Sequence, residues 1–196
     1  MTSFVAASAI GYALGAFPSA EVAAKAAARD RQVDVRQEGS GNPGALNAAR
    51  LLGWGWGLAV LAADMGKGAL AGAAGRAIGG DVGAYAAATA AIAGHVAPPQ
   101  RGFRGGKGVA TSAGACLVVF PAYFPIDTAV AALSAITSRD SSSAIRISCA
   151  AWTAAAIVWW RRQWSNAWGP QPTIALPLFA AAGSWMIQSR AGWRKR

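Results

Sequence analysis

The sequence predicts an all-α polytopic membrane helix bundle of about seven transmembrane helices. The N-terminus is expected outside, the C-terminus in the cytoplasm, and residues 1–196 in a single integral membrane domain. Three observations predict this. The chain is 54% hydrophobic and only 13% charged, about half the ~25% charge fraction of soluble domains. Its mean hydropathy is only +0.31 because Ala and Gly stand where Leu and Ile would; small residues suit close helix contact in lipid, where burial from water no longer drives packing. Finally, the charges gather in short segments between apolar runs rather than in a stripe.

The runs lie at about 2–28, 53–75, 82–98, 109–123, 124–138, 144–160 and 172–189. A span needs ~20 residues. The first run is long and has no basic residue ahead of it, so it reads as a span rather than a cleaved leader. The second carries Asp64 and Lys67, and the third ends at the only histidine. The fourth and fifth are short and divided by Pro121 and Pro125, which leaves six spans open beside seven. Trp54, Trp56, Trp159, Trp160 and Trp193 stand near span ends and read as interfacial anchors. Cys116 and Cys149 lie in apolar surroundings without a CxxC partner and read as buried small hydrophobes.

Alternate loops differ sharply in Lys and Arg. One set holds thirteen: Arg29, Arg31, Arg36 and Arg50, then Arg101, Arg104 and Lys107, then Arg139 and Arg146, then Arg190, Arg194, Lys195 and Arg196. The other set holds Arg76, Arg161 and Arg162 alone. Positively charged loops stay in the cytoplasm, which orients the chain. A net charge of +10 on such a chain points to anionic lipid and phosphorylated substrates rather than nucleic acid.

Two glycine-rich loops then share the cytoplasmic face. One is Gly39-Ser40-Gly41-Asn42-Pro43-Gly44-Ala45-Leu46-Asn47 with Arg50 behind it; the other is Gly102-Phe103-Arg104-Gly105-Gly106-Lys107-Gly108. Glycine frees backbone N–H groups to point at an anion, and Arg or Lys supplies countercharge. Ser40 and Asn42 can donate to phosphate oxygens, with Arg50 reaching back from the start of the next helix. Lys107 precedes a helix beginning near Val109, whose N-terminus favours negative charge, and Thr111 adds a hydroxyl there. Together the loops predict a site for two phosphate groups.

Other chemistries fit poorly. Gly39-x-Gly41-x-x-Gly44 formally matches a dinucleotide fingerprint but lacks its βαβ context. Gly105-Gly106-Lys107-Gly108 has Gly where a Walker loop has Ser or Thr. One histidine without a Cys/Glu cluster gives no zinc-ligand set, and no Ser-His-Asp triad is supported. Asp64 and Lys67 stand at i and i+3 and can pair, either as a structural ion pair or as functional intramembrane charges; Glu21 and Lys25 form a similar i, i+4 pair. His95, at the end of the third span, reads as a helix-end hydrogen-bonder or a catalyst.

These motifs, with Asp64-Met65-Gly66-Lys67-Gly68 and Gly94-His95 between them, resemble the acyl-phosphate-dependent glycerol-3-phosphate acyltransferase family of bacteria (the PlsY type) from about Gly11 to Gly114. The resemblance implies a seven-span membrane enzyme of phospholipid synthesis in the bacterial cell membrane. It would transfer an acyl group from acyl phosphate to the 1-hydroxyl of glycerol 3-phosphate, giving lysophosphatidate, with no metal or cofactor. It implies a catalytic set of Ser40, Arg50, Lys107 and His95. Gly39, Gly41, Asn42, Gly44 and Asn47 of the first loop would bind substrate, as would Asp64 and Lys67. Arg104, Gly105, Gly106, Gly108 and Thr111 would do so from the second loop, and Ser148 from the segment Ser143–Cys149. The chain departs from the pattern at Leu46, where a Thr is usual, and in its tail Gln188–Arg196, which lacks the family's C-terminal motif. The competing reading is a non-catalytic relative that binds phosphorylated lipid and supports a partner enzyme; a small transporter is disfavoured by the lack of internal repeats.

Overall fold

The computed structural model describes residues 1–27, 33–138 and 140–191. Arg29, Arg31, Arg139, Trp193, Arg194, Lys195 and Arg196, which entered the charge and anchor assignments, lie outside the described residues. The described residues form α-helices joined by loops: α1 (Thr2–Gly15), α2 (Ser19–Ala27), α3 (Ala45–Leu52), α4 (Trp54–Val96), a 3-10 turn (Pro99–Arg101), α5 (Val109–Val119), α6 (Phe124–Thr137), α7 (Ser141–Arg162) and α8 (Ala175–Ala191).

The expected spans map onto these helices with three corrections. The first run is broken in two. Pro18 has no N–H to extend the helix, so α1 stops at Gly15 and α2 begins at Ser19. At the break the Phe17 carbonyl accepts the Ser19 N–H at 3.0 Å. Both it and the Ala16 carbonyl are reached by side chains from outside the break, Gln100 Nε2 at Ala16 and Lys67 Nζ at Phe17 (3.1 Å). Second, the runs 53–75 and 82–98 are the two legs of α4, folded back on each other at Gly79 and Gly80, whose backbone angles are not helical. Third, the fourth run forms a helix of only 11 residues, about 16 Å long, roughly half the ~30 Å hydrocarbon thickness. Phe120 precedes proline and leaves the helical region at φ −142°, ψ 54°. The Leu117 carbonyl that Pro121 cannot serve accepts the indole N–H of Trp168 at 3.2 Å.

The charged loops segregate to two ends. At one end Arg76 binds the Trp168 carbonyl and pairs with Asp81 at 3.4 Å, while Ser3 packs beside Gly79. At the other, Arg36 donates to the Arg104 carbonyl and Arg190 to that of Phe103. Both glycine loops are therefore at one end, together with the last turn of α8. The entry to α7 is capped by Asp140, whose carboxylate accepts Ser143 N and Oγ at 2.8 Å each. Those hydrogen bonds hold its pKa below the ordinary carboxylate value.

Two apolar clusters stabilise the bundle. The larger joins the second leg of α4 to α5, α7 and α8 through Ile92, Phe120, Trp152, Leu176 and Phe179; Cys116 and Cys149 are buried in it, as expected. Trp159, read from sequence as an anchor, packs against Phe120 and Trp164 at ring-centroid separations of 5.5 and 4.8 Å. The smaller cluster, with Ala20, Ala24, Val35, Ala48 and Val60, seats the first glycine loop on α2 and α4. Backbones approach closely where α5 crosses the first leg of α4: a Cβ on Gly114 would lie 1.8 Å from the Met65 carbonyl oxygen, and one on Gly68 2.1 Å from that of Thr111. This crossing fixes Asp64 and Lys67 relative to the loop that precedes α5. Gly114→Ala should push the helices apart and destabilise the protein by roughly 1–3 kcal/mol, the usual cost of overpacking, read as a lowered Tm of the detergent-solubilised chain.

Candidate active site

The first leg of α4 carries Asp64 and Lys67 on one face. Asp64 is 2% exposed and Lys67 6%, and buried charges need partners. Lys67 Nζ lies 2.9 Å from Asp64 Oδ1 and donates to the Phe17 carbonyl at the α1–α2 break. From the second leg, His95 sets Nδ1 3.7 Å from the same carboxylate oxygen, too long for a direct hydrogen bond. The opposite edge of the imidazole is covered by Gly106: a Cβ there would lie 2.2 Å from His95 Nε2. Only glycine permits this approach. The Gly105 and Gly106 N–H groups donate to the Val96 and His95 carbonyls at 2.9 and 3.0 Å, so the second loop is clipped to the end of α4.

The first loop is held from within. Asn47, 1% exposed, donates through Nδ2 to the Val35 and Glu38 carbonyls (2.8 and 3.1 Å) and accepts the Ser40 N–H at Oδ1 (2.8 Å). Gly39 and Gly41 take left-handed φ of 61° and 63° and present the turn outward, with Ser40 exposed at its tip. Ser40 Oγ accepts the Asn42 N–H at 3.4 Å.

Between the loops lies a cleft of about 290 Å³, part of it open to solvent. Its wall includes the chain around the α1–α2 break, Arg36 and Pro43 from the first loop, Arg101, Gly105 and Gly106 from the second, and Asp64, Lys67 and His95 at its buried side. Glu21 joins the wall from α2, pairing with Arg36 Nη1 at 3.1 Å and Arg101 Nε at 3.6 Å. The Glu21–Lys25 pairing expected from sequence is replaced by these contacts, and Lys25 is exposed.

A family model described as glycerol-3-phosphate acyltransferase matches residues 5–192. The chain belongs to the glycerol-3-phosphate acyltransferase family. It is similar to the glycerol-3-phosphate acyltransferase of Exiguobacterium sibiricum, at 41% identity over 115 residues, 59% of this chain and 54% of the relative. It also resembles that of Symbiobacterium thermophilum, at 37% over 139 residues, 71% and 68% of the two chains. The Exiguobacterium match thus spans about half of that relative's length. Among solved structures, the fold is similar to PlsY (YgiH), an integral membrane glycerol 3-phosphate acyltransferase. To its glycerol 3-phosphate form the TM-score is 0.77 at 29% identity, covering 96% of this chain and 88% of that one. To its lysophosphatidic acid form the score is 0.78 at 28% identity, covering 98% and 90%.

In this acyltransferase-family chain, the residues singled out from sequence divide into three groups. His95, Asp64, Lys67, Gly105 and Gly106 meet at the cleft. Around the two loops stand Ser40, Gly39, Gly41, Asn42, Gly44, Arg104, Lys107 and Gly108, which are not among its lining residues. The third group lies elsewhere. Arg50 is exposed in the last turn of α3, a separate short helix rather than the start of the next span. Asn47 is the internal clamp of its loop. Thr111 is fully buried in α5 with its hydroxyl unpartnered, and Ser148 is half-buried on α7. Sequence reasoning missed Arg36 and Arg101 as site residues. Both had been counted only as positive loop charges, although each stands within a few residues of a glycine motif.

Lys67→Met should leave Asp64 buried without its countercharge and lower stability by about 3–5 kcal/mol. Asp64→Asn combined with Lys67→Met should recover most of that loss, as measured by unfolding of the detergent-solubilised chain.

Proposed function

We propose that this chain is a membrane acyltransferase that moves an acyl group from acyl phosphate to the 1-hydroxyl of glycerol 3-phosphate, forming lysophosphatidate. Its cleft would face the cytoplasm from the bacterial cell membrane. The observation that carries this reading is the convergence of both glycine loops on one cleft whose buried side holds Lys67, Asp64 and His95. Family membership and the two named PlsY forms support the substrate class. Orientation is supported by the gathering of Arg36, Arg101, Arg104, Lys107 and Arg190 at the cleft end, since basic loops remain cytoplasmic.

The chemistry suits a site of this make-up. Acyl phosphate is already activated. The glycerol hydroxyl oxygen forms a bond to the acyl carbon, the bond from that carbon to the phosphate oxygen breaks, and phosphate leaves with the electron pair. The hydroxyl proton passes to a phosphate oxygen, so no dedicated protein base is needed. The protein's task is to hold two mutually repelling anions with hydroxyl and carbonyl aligned, a large part of many rate enhancements. Guanidinium and ammonium groups offset the repulsion and meet the charge that develops on the carbonyl oxygen. His95, braced between Asp64 and Gly106, positions the second loop and with it Lys107. A long acyl chain would lie in lipid, where apolar side chains such as Phe17 and Val22 are exposed.

Purified full-length protein incubated with acyl phosphate and radiolabelled glycerol 3-phosphate should yield labelled lysophosphatidate. Lys107→Ala should reduce that rate by about 10²–10³, the usual effect of losing one group that stabilises transition-state charge. Absence of product from the well-folded wild type, with phospholipid still co-purifying, would replace this reading with that of a non-catalytic lipid-binding subunit.

A further inference from the structure

The cleft contains an anion site that the protein fills with its own carboxylate. Glu21 comes from α2, Arg36 from the first loop and Arg101 from the 3-10 turn ahead of the second, so one side chain bridges three separate elements. The side chains are 14%, 22% and 36% exposed, respectively. All three line the cleft beside Lys67 and His95. The second guanidinium nitrogen of Arg36 is committed to the Arg104 carbonyl, which fixes the plane of the fork. Two guanidinium groups against one carboxylate leave a surplus positive charge. A phosphate monoester carries up to two negative charges and three strong acceptor oxygens, and guanidinium matches phosphate geometry through paired N–H groups. Such a ligand is a better partner for two arginines than a single carboxylate oxygen shared at 3.1 and 3.6 Å.

We propose that Arg36 and Arg101 form a subsite for the phosphate of a phosphorylated substrate, and that Glu21 is its internal competitor, setting how tightly that phosphate is held. The proposal rests on the acyltransferase reading for its substrate class, but the subsite itself does not. On substrate entry the Glu21 carboxylate gives up both arginines, and the cost of breaking these pairs appears as weakened affinity. Such an arrangement favours release of phosphate-bearing products. A simple brace between loops would act in the opposite direction: removing it would loosen the arginines and weaken binding.

Glu21→Gln keeps the shape and removes the charge. In the full-length detergent-purified protein, its dissociation constant for inorganic phosphate or glycerol 3-phosphate, measured by titration calorimetry, should fall roughly threefold to tenfold, given the ordinary strength of two partly exposed ion pairs. The KM of one phosphorylated substrate should fall with it; which one falls assigns the subsite to acceptor or donor. Arg101→Gln should weaken the same binding roughly threefold or more and remove most of the gain from Glu21→Gln. Unchanged or weaker phosphate binding in Glu21→Gln, or unaltered binding in Arg101→Gln, would overturn the proposal. If wild type gives no turnover, the acyltransferase reading fails, and calorimetry with inorganic phosphate still decides the subsite.

Discussion

The site depends on one ammonium group. Lys67 neutralises Asp64 and, with the same nitrogen, donates to the Phe17 carbonyl at the proline break in the first span, which also accepts the Ser19 N–H. Neither charge could remain buried alone, because desolvation without a partner costs several kcal/mol. The contact therefore ties the break between α1 and α2 to the first leg of α4, and through Asp64 it faces the imidazole on the second leg. Three segments far apart in the chain meet at one buried polar point.

Around that point, close packing does what burial from water cannot do inside lipid. Glycines at the crossing of α4 and α5 bring backbone against backbone, which sets the position of the loop preceding α5 with little freedom. Gly106 extends the same device to the site, where its lack of a side chain lets the loop lie on His95. The second loop is thus rigid at its glycines and presents its basic residues from a fixed base. The first loop is rigid for another reason, the inward-turned amide of Asn47, which meets three backbone groups. Two loops held by different means face each other across the cleft, joined at the rim by Arg36 and Arg104.

The cleft's electrostatics follow from this frame. Its cations are not arrayed freely: Lys67 is neutralised by Asp64, and Arg36 and Arg101 are shared with Glu21. On the proposal made above, an anionic ligand would meet a site whose charge is partly held in internal pairs, and its affinity would reflect exchange of partners rather than simple attraction.

Much of this was legible in the chain itself. Apolar runs, the two glycine motifs and the unequal basic loops gave the helical bundle and the location of both loops at one end, because hydropathy, glycine conformation and charge are local properties; the family resemblance singled out Asp64, Lys67, His95, Gly105 and Gly106, which line one cleft. The Pro121 break was also written locally, whereas the break at Pro18 appeared only in the structure, although the missing N–H group explains both. What only the tertiary structure decided is partner choice. Asn47 could have faced a ligand and instead clamps its own loop. Glu21 could have paired with Lys25 one turn away and instead reaches Arg36 and Arg101. Arg50 could have opened the next span and instead ends a helix of its own. Such choices rest on which elements lie within a few ångströms once the bundle closes, and sequence spacing carries no record of that distance.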